Sequence, residues 1–374
     1  MCDGHYKCRM TYECIPFNQL CDGIRHCRRG DDEFNCNPRC PANCRCRGMT
    51  FKCESHSDII PINTIHSDAR WIDLKTNMSD MRPHNPIDFR FLTTLLLQGC
   101  SIRELLVDGQ SVFGNIRALR HLDLSSNHIE KLPKKTFIKT NLKTLVLSNN
   151  PLSHIDSDFF HGFASLNNLQ MTNTSLKILE TGNPLQSIFR HLTDLEYLDL
   201  SFNLIENIPG KVFTDLLSLK YLNLSHNPVS FVDLSAFSGL HFLRDLRLTH
   251  TKIQEIHTGV FDDVSSLIYL NISAGDIRNI QNDVFLNLGR LQALDIQQNL
   301  LEIHELMFKG LDGLTYLYAD SYKMCCIRPE SVASENCFAL QESISSCSNL
   351  VGLGILRVCL WVIGITALLL TRSI

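Results

Sequence analysis

The residues best able to do chemistry in this chain are its 16 cysteines and the acids and asparagines set among them. Cys2, Cys8, Cys14, Cys21, Cys27 and Cys36 crowd the start; Cys40, Cys44, Cys46 and Cys53 follow at once. Cys325, Cys326, Cys337 and Cys347 lie near the other end, and Cys100 and Cys359 stand apart. Thiols clustered in this way predict disulfide staples made in an oxidising, secretory compartment. Asn-x-Ser/Thr sequons at Asn173, Asn223 and Asn271 agree with that route and are the expected glycosylation sites.

Enzymatic chemistry finds no purchase. There is no HExxH, no GxSxG and no glycine-rich phosphate loop, and the 15 histidines are scattered without ligand spacing. The chain is read as a non-enzyme. A net charge of -4 with no basic stripe gives no footprint for nucleic acid.

The elements that must position any functional residue are repeats. The phrases LDLSSNHI, ending at Ile129, and LVLSNNPL, ending at Leu152, belong to a pattern LxxLxLxxNxL. Its second apolar position falls at Ile72, Leu95, Leu122, Leu145, Leu169, Leu198, Leu222, Leu246, Leu270, Leu294 and Leu317, in steps of 23 to 29 residues. Phe213, Phe237, Phe261 and Phe285 keep the same beat at 24, with Phe308 at 23. Period-2 alternation turns Leu122 and Leu124 inward and His121, Asp123 and Ser125 outward, so stacked strands make one parallel sheet. The asparagine after the strand, as at Asn127, Asn203, Asn227 and Asn299, can bond backbone groups that the turn leaves unpaired. Cys100, Thr174, Thr251 and Gly275 occupy the same ladder position. So does Asn77, whose sequon is therefore expected to be buried and unmodified. The phenylalanines pack the convex side. No repeat buries its apolar face alone, so both ends need atypical caps.

The cysteine clusters supply them. CPANCRCRGMTFKC resembles an amino-terminal leucine-rich-repeat cap, and Cys325, Cys326, Cys337 and Cys347 close the other end with a pairing that sequence leaves open. The expected fold is an α/β leucine-rich-repeat solenoid with a parallel sheet on its concave face. Residues 39–60 form the first cap, 61–322 about 11 repeats, and 323–349 a cysteine-rich hinge. Residues 1–38 are a separate module, too small to fold without staples, whose clear core residues are Tyr6 and Ile15.

That module resembles an LDL-receptor class A module. The resemblance implies pairing of Cys2 with Cys14, Cys8 with Cys27 and Cys21 with Cys36. It also implies a calcium site in CDGIRHCRRGDDEFNC, with carboxylates from Asp22, Asp32 and Glu33 and backbone carbonyls from Gln19 and Ile24. Hard oxygens with several negative charges are what calcium requires. His26 stands where the family has an Asp, and a neutral imidazole is a poor calcium ligand, so the site is expected to be weakened.

VGLGILRVCLWVIGITALLL, residues 351–370, carries Arg357 as its one charge and has the length of a membrane helix, expected over 350–374. The order of module, capped repeats, hinge and apolar segment resembles the leucine-rich-repeat G-protein-coupled receptors of the relaxin-receptor type and their invertebrate orphan relatives. The likeness implies a plasma-membrane protein with an extracellular ectodomain and a peptide or protein hormone captured on the concave face. In that family, the tethered first module and hinge then act on a helix bundle. The family continues to seven helices, and a G protein is a partner only where those exist. The chain stops at TRSI and shows no signal peptide before Cys2, so it reads as the front part of a longer receptor. Only Asn37, Pro38 and Arg39 separate Cys36 from Cys40, against a long linker in relaxin receptors, which favours an orphan relative.

Outward strand positions carry Asp73, Asp123, Asp199, Asp245, Asp295 and Asp320, with Tyr197, Tyr221, Tyr269 and Tyr316. Acids on strands ~5 Å apart suit a basic peptide, and the resemblance implies one of the relaxin or insulin type. Asp123, Asp199, Asp245, Asp295, Tyr197, Tyr221 and Tyr269 are the candidate ligand contacts, although the family's paired acids on single strands are missing and glycans on Asn223 and Asn271 would crowd them. The alternative is a single-pass or truncated adhesion or decoy protein that binds a partner without signalling.

Overall fold

The computed structural model describes the chain except for residues 1–4, 9–10, 12, 17–18, 22, 35, 37–38, 56–63, 79–88, 90, 108–109, 114–115, 135, 138–139, 153, 157, 180–186, 305 and 342–374. Its dominant element is a 14-stranded sheet. The central strands are three residues long, from Thr94–Leu96 to Ala293–Asp295, and each buries only its middle residue. Ile72, Leu95, Leu122, Leu145, Leu169, Leu198, Leu222, Leu246, Leu270, Leu294 and Leu317 pair in one unbroken parallel register. The repeat anchors of the sequence are thus direct neighbours in space.

Behind the sheet the phenylalanines form a buried spine. Phe213, Phe237, Phe261 and Phe285 stack with centroids 6.4, 6.1 and 6.3 Å apart. The α/β expectation needs correction, because the convex side carries turns and two-residue parallel strands, such as Asn207–Ile208 beside Phe231–Val232. Among the described residues the one α-helix is Tyr322–Cys326, outside the repeats. A 24-residue repeat spends its length on the strand, the ladder turn and the back strand. What remains is too short to repay the cost of a helix nucleus, and Pro209 and Gly210 break it further. The fold is a β-solenoid.

The ladder binds repeat to repeat. Asn227 Nδ2 donates to Leu200 O and Leu224 O, both at 2.9 Å, and its Oδ1 accepts from Ile205 N at 3.1 Å. Asn127, Asn150, Asn203 and Asn299 repeat this pattern. At the substituted positions, Cys100 Sγ donates to Leu74 O and Thr174 Oγ1 to Met171 O. Asn77 departs from expectation and is exposed. Its strand, Trp71–Lys75, runs five residues rather than three, so the turn comes later and Thr76 is buried instead.

Both ends are closed covalently. The antiparallel hairpin Cys44–Arg47 and Thr50–Glu54 covers one edge, with bridges Cys40–Cys46 and Cys44–Cys53. At the other, Cys337–Gln341 pairs with Tyr316–Ser321, and Cys325 is bridged to Cys337. Cys326 is also disulfide-bonded, while Cys347 lies outside the described residues. In the first module the bridges are Cys8–Cys27 and Cys21–Cys36; Cys14 is bonded too, and Cys2 lies outside. No helix among the described residues is long and apolar enough to cross a membrane, and the segment 350–374 with Arg357 and Cys359 lies outside them.

Replacing Asn227 with Ala removes partners from three buried backbone groups and is expected to cost about 3–5 kcal/mol, since each such orphan costs about 1–3 kcal/mol. Asn227→Thr should cost about a third less, because threonine keeps one of the three bonds, as Thr174 does. Urea melts of the two variants check the ranking.

Candidate functional site

The concave face is where side chains of successive strands meet. Tyr197 and Tyr221, on adjacent strands and in register, stack with centroids 4.3 Å apart and planes 2° from parallel. On the next strand the Arg247 guanidinium lies 5.2 Å from the Tyr221 centroid and 5.4 Å from that of Tyr269, a cation held between two rings. Asp245 grips the same guanidinium with both oxygens, at 3.0 and 2.9 Å. This paired bond is the chief reason Arg247 holds its proton even more firmly than usual, against the cost of burial. Burial is also the main cause raising the phenols of Tyr197, Tyr221 and Tyr269, so all three stay neutral hydrogen-bond donors across the physiological range.

The expected ligand acids prove to be engaged within the sheet. Asp199 Oδ1 accepts from Ser201 N and Oγ at 2.9 and 2.6 Å, and its Oδ2 from Asn223 Nδ2 at 3.3 Å. Asp295 accepts from Gln297 N and from Asn271 Nδ2, and burial raises its carboxyl above the usual range. Asp123 accepts from Ser125 N. Asp73 is buried and pairs with Lys52 at 3.7 Å, while Asp320 caps the preceding turn by accepting from Gln298 N and Asn299 N. The structure therefore brings Tyr197, Tyr221, Asp199, Asp245 and Tyr269 into one strip, with Asp295 adjoining and Asp123 three strands away. The sequon residues Asn223 and Asn271 flank Arg247 in that strip, whereas Asn173 is exposed four residues past the anchor Leu169.

A second row lies beside the first. Phe202, His226 and His250 stack face to face at 4.0 and 3.9 Å. All three stand four residues past a repeat anchor, where the backbone is left-handed, with φ of 56°, 57° and 54°. Ser126, Asn149, Ala274 and Gln298 share the position and the conformation, so the geometry belongs to the repeat. It throws each side chain out along the rim. The signal was available in the repeat offset, and a search confined to strand positions passes over it. Arg247 was likewise visible as the partner of Asp245.

In the first module, Asp32 is fully buried. Its Oδ2 accepts from His26 N at 2.6 Å, and its Oδ1 has no hydrogen-bond partner among the described residues. Glu33 Oε2 accepts from Gly23 N at 3.1 Å. Asp22 lies outside the described residues; Gln19 is half-buried and Ile24 exposed. A buried carboxylate oxygen without a donor fits a cation, for the charge is costly unless compensated.

The family model for the BspA type leucine-rich repeat region matches residues 101–182 and 185–315 in six copies, more than half of the chain. This chain is a leucine-rich-repeat protein. Lumican from Gallus gallus is 35% identical over 118 residues, 32% of this chain and 32% of lumican; human lumican is also 35% identical over 118 residues. The G-protein coupled receptor GRL101 of Lymnaea stagnalis is 44% identical over 62 residues, 17% of this chain and 5% of that receptor. The leucine-rich-repeat chain thus spans about a third of the lumicans and a small part of the receptor. Among solved structures it is similar in fold to a chain of the Drosophila Toll–Spatzle complex, with a TM-score of 0.57 and 20% identity over 71% of this chain and 40% of that one. A Leptospira interrogans leucine-rich-repeat protein gives a TM-score of 0.51 and 23% identity, over 67% and 58%.

His226 provides a probe of the rim. Burial, then the neighbouring His250, lowers its pKa below the ordinary value. With its folded pKa depressed, the stack's contribution is complete above the unfolded pKa and is lost as pH falls through the folded one. An NMR titration should therefore find His226 below about 6.5, and His250→Asn should move it upward.

Proposed function

We propose that this chain is the ligand-capturing part of a G-protein-coupled receptor for a peptide or protein hormone, set at the plasma membrane with residues 1–349 outside. The observation that carries the reading is the strip Tyr197, Tyr221, Asp245, Arg247 and Tyr269, a half-buried row of rings and charges on the concave sheet, where a partner meets several strands at once. The likeness to GRL101 supports the receptor assignment, and the Toll–Spatzle complex shows that a fold of this kind takes a protein ligand in that system. In this proposal the module 1–38 is an LDL-receptor class A module, 39–60 and 323–349 are the caps, and the apolar run 351–370 begins a membrane helix. A basic ligand of the relaxin or insulin type is compatible with the carboxylates of Asp199 and Asp245 on the concave sheet. A binder or decoy of the adhesion kind is the second reading, favoured by a match to lumican nearly twice as long as that to the receptor.

The message decides between them. Reading the transcript past the codon for Ile374 is expected to show six further apolar segments; an immediate stop would remove signalling and leave the binder. For a basic peptide ligand, replacing Asp199 and Asp245 together by Asn is expected to weaken binding more than tenfold, and unchanged affinity in a titration would place the contact elsewhere.

Calcium is the proposed cofactor of the first module. Asp32 and Glu33 of the described residues would hold it, with Asp22 and the carbonyls of Gln19 and Ile24, and it would neutralise the acids that the loop gathers. At a hundredfold excess over its Kd it should add about 2.7 kcal/mol to the stability of the module. Calorimetry of the whole chain with and without calcium reads the gain, which Asp32→Asn should abolish.

A further inference from the structure

The family resemblance implies a first module that swings on a tether, and the contacts here oppose that picture. The core of the module comprises Tyr6, Cys8, Ile15, Leu20 and Cys27, and its sixth buried member is Met49. Met49 belongs to the solenoid cap, at the tip of the hairpin between Cys44–Arg47 and Thr50–Glu54. A module that is too small to bury an adequate core of its own thus borrows a side chain from the next domain.

The residue before Met49 shows how close the approach is. Gly48 has φ of +56°, and a Cβ there would lie 2.5 Å from Cys21 Cβ and 2.7 Å from Leu20 O. Neither is a flexible side-chain end, so only glycine lets the hairpin tip reach the module.

A second contact lies beside the first. The Arg70 guanidinium sits 4.9 Å from the Tyr6 ring centroid and 4.8 Å from that of Phe91, a cation between a ring of the module and a ring of the first repeats. Each partner is itself fixed. Tyr6 Oη donates to Asp31 O and Oδ2, both at 3.3 Å. Arg70 N donates to Met49 O at 3.0 Å, and Arg70 O accepts from Thr93 N at 2.9 Å. The two contacts therefore share a backbone bond, and the short connection of residues 37–39 leaves little slack for parting them.

We propose that the amino-terminal disulfide module is docked as the outermost layer of the solenoid, held by Met49 in its core and by the Tyr6–Arg70–Phe91 stack, and moves with the repeats as one rigid body. The partner of this surface is the chain's own segment 5–36. This inference stands on these contacts and not on the receptor reading. It alters that reading in one respect: the module can reach a membrane-embedded partner only by first leaving this seat.

The test is 15N relaxation of the whole chain. A docked module gives residues 5–34 the same rotational correlation time as the repeats. Arg70→Ala and Phe91→Ala lie outside the module and leave its disulfides and core intact; either is expected to shorten the correlation time of the module at least twofold, and Gly48→Val more so. Faster tumbling of the module in the unaltered chain would overturn the proposal. So would an unchanged correlation time in all three variants. Met49→Asp is left out of the decision because it also empties the core of the module.

Discussion

The solenoid depends on a ladder of asparagine carboxamides facing inward, typified by Asn227. Its two donors and one acceptor meet three backbone groups that the tight turn after each strand strips of water, and two of those groups, Leu200 O and Ile205 N, belong to the preceding repeat. An unpaired amide or carbonyl in that position would be buried at a cost comparable to a whole hydrogen bond. The asparagine therefore does two jobs, shaping its own turn and fixing the distance to its neighbour. The parallel register of the sheet, the spine of phenylalanines and the alignment of outward side chains all follow from that spacing. Where threonine or cysteine replaces asparagine, fewer bonds bridge the repeats, yet the flanking asparagines keep the register.

This constraint also explains why much of the architecture could be read in the residues. A side chain that must bond three fixed groups leaves a periodic mark, and the anchors from Ile72 to Leu317 pair as that mark predicts. What escaped reading was set by neighbours rather than by period. Asn77 has the right offset, but a longer strand moves its turn. The aspartates look like free ligands in a list of outward positions, whereas Ser201, Asn223, Arg247 and Asn271 occupy them in the fold. An Asp followed two residues later by a serine was itself a legible sign of local bonding. The α/β class failed on length, a quantity the repeat period already contained. The proposed seat of the first module on Met49 and Arg70 left no sign in the sequence beyond the short connection of residues 37–39, because contacts between modules carry no period.

The concave strip gains a different character from these bonds. An acid that already accepts two hydrogen bonds and an arginine clasped by its neighbour lose little freedom when a partner arrives, so their surface is pre-organised. Rings stacked in register add rigid apolar area. What this face presents is shape and the edges of rings more than long flexible charges reaching out.

The spacing of the phenylalanine spine from Phe213 to Phe285 sets the curvature of that part of the solenoid. Rings 6.1 to 6.4 Å apart on the convex side stand behind strands that are only ~4.8 Å apart, so each repeat is a wedge. If the layers are about 10 Å apart, as packed sheets are, the wedge angle is about 8° and the inner arc has a radius of about 35 Å. A compact domain of 100 residues has a radius of gyration of about 13 Å. Its surface curves more sharply than the hollow that receives it, so a small globular visitor rests like a ball in a wide dish, touching a few neighbouring strands and leaving the others to the open.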